Sequence, residues 1–96
     1  MSRRRYLVTY DVSDDRRRTQ IFKVLHGFGD WVQYSVFVCE LNRREHTQLV
    51  ARLTPLVHQR EDQVLFVDLG PAEREAGQVV ASVGRAYEAP TRVVVV

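Results

Sequence analysis

The chain has 96 residues, a formal net charge of +2 and one cysteine. This length is that of one domain, residues 1–96, and the lone Cys39 excludes an intrachain disulfide framework, which fits a reducing cytoplasmic setting. No run approaches the ~18 apolar residues of a membrane span, and the basic N-terminus meets Asp11 too soon for a secretory leader.

Tyr6 to Val12 is expected to form a strand, because aromatic and β-branched residues dominate it. Ser13 suits the N-cap of a following helix, with Asp14 and Asp15 matched to its positive end. Ile21, Leu25 and Phe28 recur at helical spacing, joined by Phe22 and Val24, and Gly27 and Gly29 mark the stop. Trp31 to Leu41 is a β-rich run that exceeds the usual strand length of ~5–6 residues, so a reversal is expected near Gln33-Tyr34-Ser35. Asn42-Arg43-Arg44-Glu45 has the spacing of a capping box. His46, Leu49, Val50, Leu53, Leu56 and Val57 then form a second helical stripe, which Pro55 should kink or end near Thr54. Gln63 to Gly70 is a further strand with Leu65, Val67 and Leu69 on one face. Pro71 to Gly77 reads as a charged loop, Val79 to Val83 as a weaker strand, and Glu88-Ala89-Pro90 as a break before the valines Val93 to Val96.

Two helices must bury their apolar faces against one sheet, and the order of elements leaves few topologies. The expected fold is α+β: a ferredoxin-like βαββαβ sandwich with both helices on one face of an antiparallel sheet, followed by a C-terminal strand. Tyr6, Val8 and Tyr10 share one face of the first strand, and Leu7, Thr9 and Asp11 share the other. Both faces carry apolar residues, so a second subunit is expected to cover the open one, with a two-fold homodimer the commonest solution.

Chemistry concentrates where the first strand meets the first helix. Asp11 ends the strand at the rim of the sheet. Magnesium takes oxygen ligands and often uses only one or two protein carboxylates, so two copies of Asp11 across a two-fold axis would make a metal site. The alternative is a turn-forming aspartate bonded to nearby backbone N–H groups. Lys23 is the only lysine among the 14 basic residues. Arginine is the better fork for phosphate oxygens, so Arg16, Arg17 and Arg18 are candidate nucleic-acid ligands, although ~100° steps around a helix prevent all three from facing one target. The bland alternative is a solvated face or pairing with Asp14 and Asp15. Arg3, Arg4 and Arg5 read as a flexible basic arm. His26, His46 and His58 lack metal-ligand spacing, and Cys39 reads as a small buried hydrophobe.

The stretch Tyr10-Asp11-Val12-Ser13-Asp14-Asp15-Arg16-Arg17-Arg18, with Leu25, Phe28-Gly29 and Val32-Gln33-Tyr34-Ser35-Val36-Phe37, resembles the small CRISPR-associated protein that partners the spacer-acquisition integrase. This is the second Cas protein, often described as an endoribonuclease. The resemblance is densest over residues 6 to 41, and it departs mildly in having three arginines where mixed lysine and arginine are usual. It implies a ferredoxin-like fold and a symmetric homodimer in which a C-terminal strand, here Val93 to Val96, pairs with the partner's sheet. It also implies that Asp11 is the metal-binding and catalytic residue, with magnesium or manganese as the ion. The implied activity is cleavage of single-stranded RNA or double-stranded DNA. The implied alternative is a non-catalytic dimeric adaptor that bridges integrase dimers and holds DNA. An unrelated ferredoxin-like regulatory module would explain the fold but not the combined motif.

Overall fold

The computed structural model describes residues 2–89. In chain order the elements are β1 (Arg4–Asp11), α1 (Asp15–His26), β2 (Asp30–Gln33), β3 (Val36–Leu41), α2 (Arg43–Leu53), β4 (Gln63–Pro71) and a short α3 (Ala76–Val79). The four strands form one antiparallel sheet in the order β2-β3-β1-β4. Val8, Tyr10, Phe37, Cys39 and Leu41 face Ile21 and Leu25 of α1 and Leu49 and Leu53 of α2, and together these make the core. The expected βαββαβ sandwich is therefore the observed one. Among the described residues no helix is long and apolar enough to cross a membrane.

Local signals account for most of the element ends. The capping box forms: Glu45 N–H donates to Asn42 Oδ1 at 2.8 Å, and Asn42 N–H donates to Glu45 Oε1 at 2.9 Å. Helix α2 stops at Leu53 with Thr54 as its cap, one residue before Pro55. Leu56 and Val57 thus lie past the helix, yet still pack half-buried against the core. The long β-run does reverse at Tyr34-Ser35. Tyr34 takes a positive φ of 41°, uncommon for a residue with a Cβ. Two hydrogen bonds hold the turn: Trp31 Nε1–H to the Tyr34 carbonyl at 2.8 Å, and Tyr10 N–H to the Ser35 carbonyl at 3.1 Å.

Other expectations are corrected. The cap of α1 is Asp14, whose Oδ2 accepts from Arg17 N–H at 2.9 Å, and Ser13 lies outside the helix. Strand β1 begins at Arg4 rather than Tyr6, and Arg3, Arg4 and Arg5 are not a loose arm. Arg3 grips both carboxylate oxygens of Glu45 at 3.0 and 3.2 Å, and Arg4 donates to Asp68 at 2.8 Å. Arg5 is buried; it pairs with Glu40 and donates to the carbonyls of Ala72 and Arg74 at 3.1 and 2.7 Å. Those two bonds tie down the chain as it leaves β4, and Val79 to Val83 adds no strand to the sheet: α3 ends at Val79 and irregular chain follows. Val93 to Val96 lie outside the described residues.

Gly29 has a different task from helix termination, which Gly27 performs. A Cβ on Gly29 would sit 2.4 Å from Cys39 Sγ and 2.6 Å from the Val38 carbonyl, so only glycine lets the link from α1 to β2 cross β3 this closely. Cys39 is fully buried there, as expected of a small hydrophobe.

Candidate metal and nucleic-acid site

Strand pairing sets the position of Asp11. It is the last residue of β1, opposite Gln63 of β4, and alternation places it with Leu7 and Thr9 on the face away from the helices. Its carboxylate is exposed and makes no hydrogen bond or ion pair with the described residues. The turn-aspartate alternative requires bonds to nearby N–H groups, and these are absent. Among the described residues no three His, Cys, Asp or Glu side chains gather as a metal-ligand group. Among the described residues, Asp11 thus stands as a single unbonded carboxylate at the sheet rim.

The arginines at the start of α1 diverge, as their helical spacing demands. Arg17 leaves the ligand-facing set for a structural pair: its Nε and Nη2 donate to the two oxygens of Asp62 at 2.7 and 3.1 Å, with Glu61 at 3.6 Å. Arg18 pairs with Asp15 and donates to the Val12 carbonyl at 3.0 Å. Arg16 is exposed, and its side chain bonds to none of the described residues. Of the three, it alone has no side-chain bond among the described residues.

Asp62 is the residue that sequence reasoning missed. Besides Arg17 it accepts the His58 N–H at 2.8 Å, which joins the loop before β4 to the first turn of α1 beside the Asp11 rim. Nothing in its neighbourhood marks it, since its partner lies 45 positions away. The hydrogen bond from Arg17 holds its carboxyl below the ordinary value of 3.8, with the His58 amide acting the same way against the opposing effect of desolvation. A depressed carboxyl stabilises the fold above its unfolded pKa, and that contribution is lost as pH falls through the folded value. Thermal melts from neutral pH down to about pH 2 should therefore show parent stability falling more steeply than that of Asp62→Asn below about pH 4. Parallel slopes would show that the pair does not govern acid stability. At neutral pH the variant should melt lower, because Arg17 loses a charged partner.

The histidines stay apart. His46 lies between the rings of Tyr6 and Phe66, with centroids at 4.9 and 5.1 Å, while His58 Nδ1 accepts from the backbone of Arg60 and Glu61. Neither shares a site with Asp11.

Comparison with known proteins decides the family. The model of the CRISPR-associated protein Cas2 family matches residues 4–76. The chain belongs to the Cas2 family. The match runs from β1 to the start of α3, so Asp11, the arginine block and the β2–β3 hairpin all fall within the Cas2 region. A Geobacter sulfurreducens protein described as a CRISPR-associated endoribonuclease Cas2 is 42% identical over 83 residues, covering 86% of each chain. The crystal structure of a hypothetical protein from Thermus thermophilus superposes with a TM-score of 0.73 at 31% identity, covering 88% of this chain and 94% of the other. Streptococcus pyogenes Cas2 superposes with a TM-score of 0.70 at 30% identity, covering 83% and 99%.

Proposed function

We propose that this chain is a metal-dependent endonuclease that works as a homodimer, with Asp11 of each subunit at the reaction centre. The observation that carries the reading is the Asp11 carboxylate: exposed, without a partner among the described residues, at a strand end, in a Cas2-family chain. Its relatives described as endoribonucleases support RNA as substrate, and duplex DNA is the alternative to be assayed beside it. The donor type fits magnesium or manganese, which accept a hard carboxylate oxygen and leave much of their coordination to water. Asp11 and its copy in a second subunit would hold the ion, which when bound activates water and offsets charge on the phosphate. The open sheet face favours a dimer, because Leu65 and Val67 leave 47% and 45% of their surface uncovered there. The sequence pattern placed Leu65 and Val67 together, and this apolar face is the one turned from the helices, whereas Val64 and Phe66 pack on the core.

Arg16 serves the substrate rather than the fold. Its fork meets phosphate oxygens outside the protein, a contact that positions a strand without reading its sequence. The variant Arg16→Glu should weaken binding of single-stranded RNA and duplex DNA alike, and should flatten the salt dependence of log Kd by about one phosphate contact per site. Fluorescence anisotropy over a salt series measures both. An unchanged slope would remove Arg16 from the interface. The fold should be indifferent, since the Arg16 side chain bonds to none of the described residues.

The same dimer is proposed to act with the CRISPR integrase in spacer acquisition. If its role there is that of a DNA-holding adaptor, Asp11→Asn leaves acquisition intact while abolishing cleavage, and the two readouts separate the roles.

A further inference from the structure

The cleft between the start of α1 and the tip of the β2–β3 hairpin is lined by Tyr10, Arg18, Thr19, Phe22, Tyr34 and Ser35, with a volume of about 380 Å³. Tyr34 stands at its outer wall, 87% exposed. Its ring touches no other ring among the described residues, yet its backbone is held in the left-handed region by two hydrogen bonds from Trp31 and Tyr10 to the turn. A two-residue turn of this kind is satisfied more cheaply by glycine or asparagine. The turn therefore presents an aromatic side chain to solvent from a held backbone, in a conformation that this side chain disfavours.

We propose that this cleft is a nucleobase site, in which Tyr34 stacks an unpaired base of single-stranded nucleic acid whose backbone continues over the sheet rim to Asp11. The inference rests on the reading of Asp11 as the reaction centre and names the form of substrate that reaches it. Phe22 and the mostly buried Tyr10 give the cleft apolar surface, while the Thr19 and Ser35 hydroxyls give it polar atoms; Thr19 Oγ1 donates to the Asp15 carbonyl at 2.9 Å and keeps its lone pairs for a planar hydrogen-bonding base. The Arg18 charge is balanced by Asp15, so the cleft selects the face of a base more than a phosphate. Tyr10 and Asp11 are consecutive, with Cα atoms about 3.8 Å apart, and strand alternation sends them to opposite faces. A chain running from cleft to carboxylate must turn around the rim. A single strand does so readily and offers unstacked bases, whereas a duplex keeps its base faces covered.

The test uses the full chain with a short single-stranded RNA carrying one 2-aminopurine, whose fluorescence drops on stacking, and a duplex DNA of matching sequence. Parent protein should quench the probe on binding. Tyr34→Ala should abolish the quench and weaken single-strand binding by about 5- to 150-fold, the range for loss of one base–aromatic stack. Tyr34→Phe should keep both, and duplex affinity should not change in either variant. Parental binding and quenching by Tyr34→Ala would overturn the cleft, and Asp11-dependent cleavage in the same samples would show that the nuclease reading survives it. Binding of duplex alone by the parent, or binding of the single strand without a quench, also overturns it, as does a Tyr34 phenotype confined to a protein partner. A quench lost in Tyr34→Ala alongside full-rate cutting by Asp11→Asn would uphold the cleft and reject the Asp11 mechanism.

Discussion

If the proposed reaction centre is right, Asp11→Asn should remove metal-dependent cleavage while leaving the protein folded. The substitution keeps size and shape and deletes one negative charge, so it tests the carboxylate as a ligand. Asp11 is exposed and bonds to none of the described residues, so the fold has nothing to lose there. Surface changes of that kind shift stability by only about ±0.5 kcal/mol. The chemical step should suffer far more. Metal stabilisation of developing charge amounts to several kcal/mol, so its loss lowers the single-turnover rate by about 100-fold or more. The measurement is single-turnover cleavage of single-stranded RNA and duplex DNA across a magnesium titration, with a thermal melt as the folding control. A variant that cuts at the parental rate ends the mechanism. If the ion needs both carboxylates, refolding an equal mixture of parent and variant leaves about a quarter of the parental activity, because only parent homodimers are complete. Half the parental activity would instead show that each Asp11 works alone.

The largest effect on stability should come from Phe37→Ala. Phe37 lies in the middle of the sheet, paired with Val8 on β1 and Trp31 on β2, and is fully buried. Its ring meets Phe22 of α1 edge-on at 5.3 Å and lies 6.4 Å from Tyr10. Truncation removes the transfer energy of the ring and leaves a cavity between helix and sheet, a loss of about 3–5 kcal/mol. Domains of this size hold about 5–15 kcal/mol in total, so much of the margin goes. At about 4–8 °C per kcal/mol the melting temperature should fall by roughly 12–40 °C. Urea denaturation at fixed protein concentration should show a lower midpoint with the same slope. A loss below about 1 kcal/mol would mean that the site collapses around the missing ring. The same ring helps position Phe22 and Tyr10, which line the cleft beside Tyr34, so single-strand binding should weaken along with stability.

How much was readable in advance depended on the range of the interaction. The Asn42–Glu45 box and the helix end before Pro55 are settled within a few residues and are visible as local patterns, whereas the reversal at Tyr34-Ser35 follows only from the length of the run, with no glycine or proline to mark it. The first cap shows the limit of such patterns: Ser13 and Asp14 are both good capping residues, and one hydrogen bond to Arg17 N–H selects Asp14. The arginine blocks show a stronger limit. As strings, Arg3-Arg4-Arg5 and Arg16-Arg17-Arg18 look like free positive charge. In the fold Arg4 meets Asp68 and Arg17 meets Asp62, partners 64 and 45 positions distant.

The sequence by itself determined the order of elements from β1 to β4, the two-layer sandwich and the family, and it put Asp11 at a strand end, because periodicity and motif spacing are properties of neighbouring residues. The tertiary structure alone decided which cations remain for a ligand, which face of β4 stays open, and that Tyr34 stands over a cleft beside the Asp11 rim. These depend on which surfaces meet when the chain closes, and a linear pattern does not specify contacts between residues dozens of positions apart.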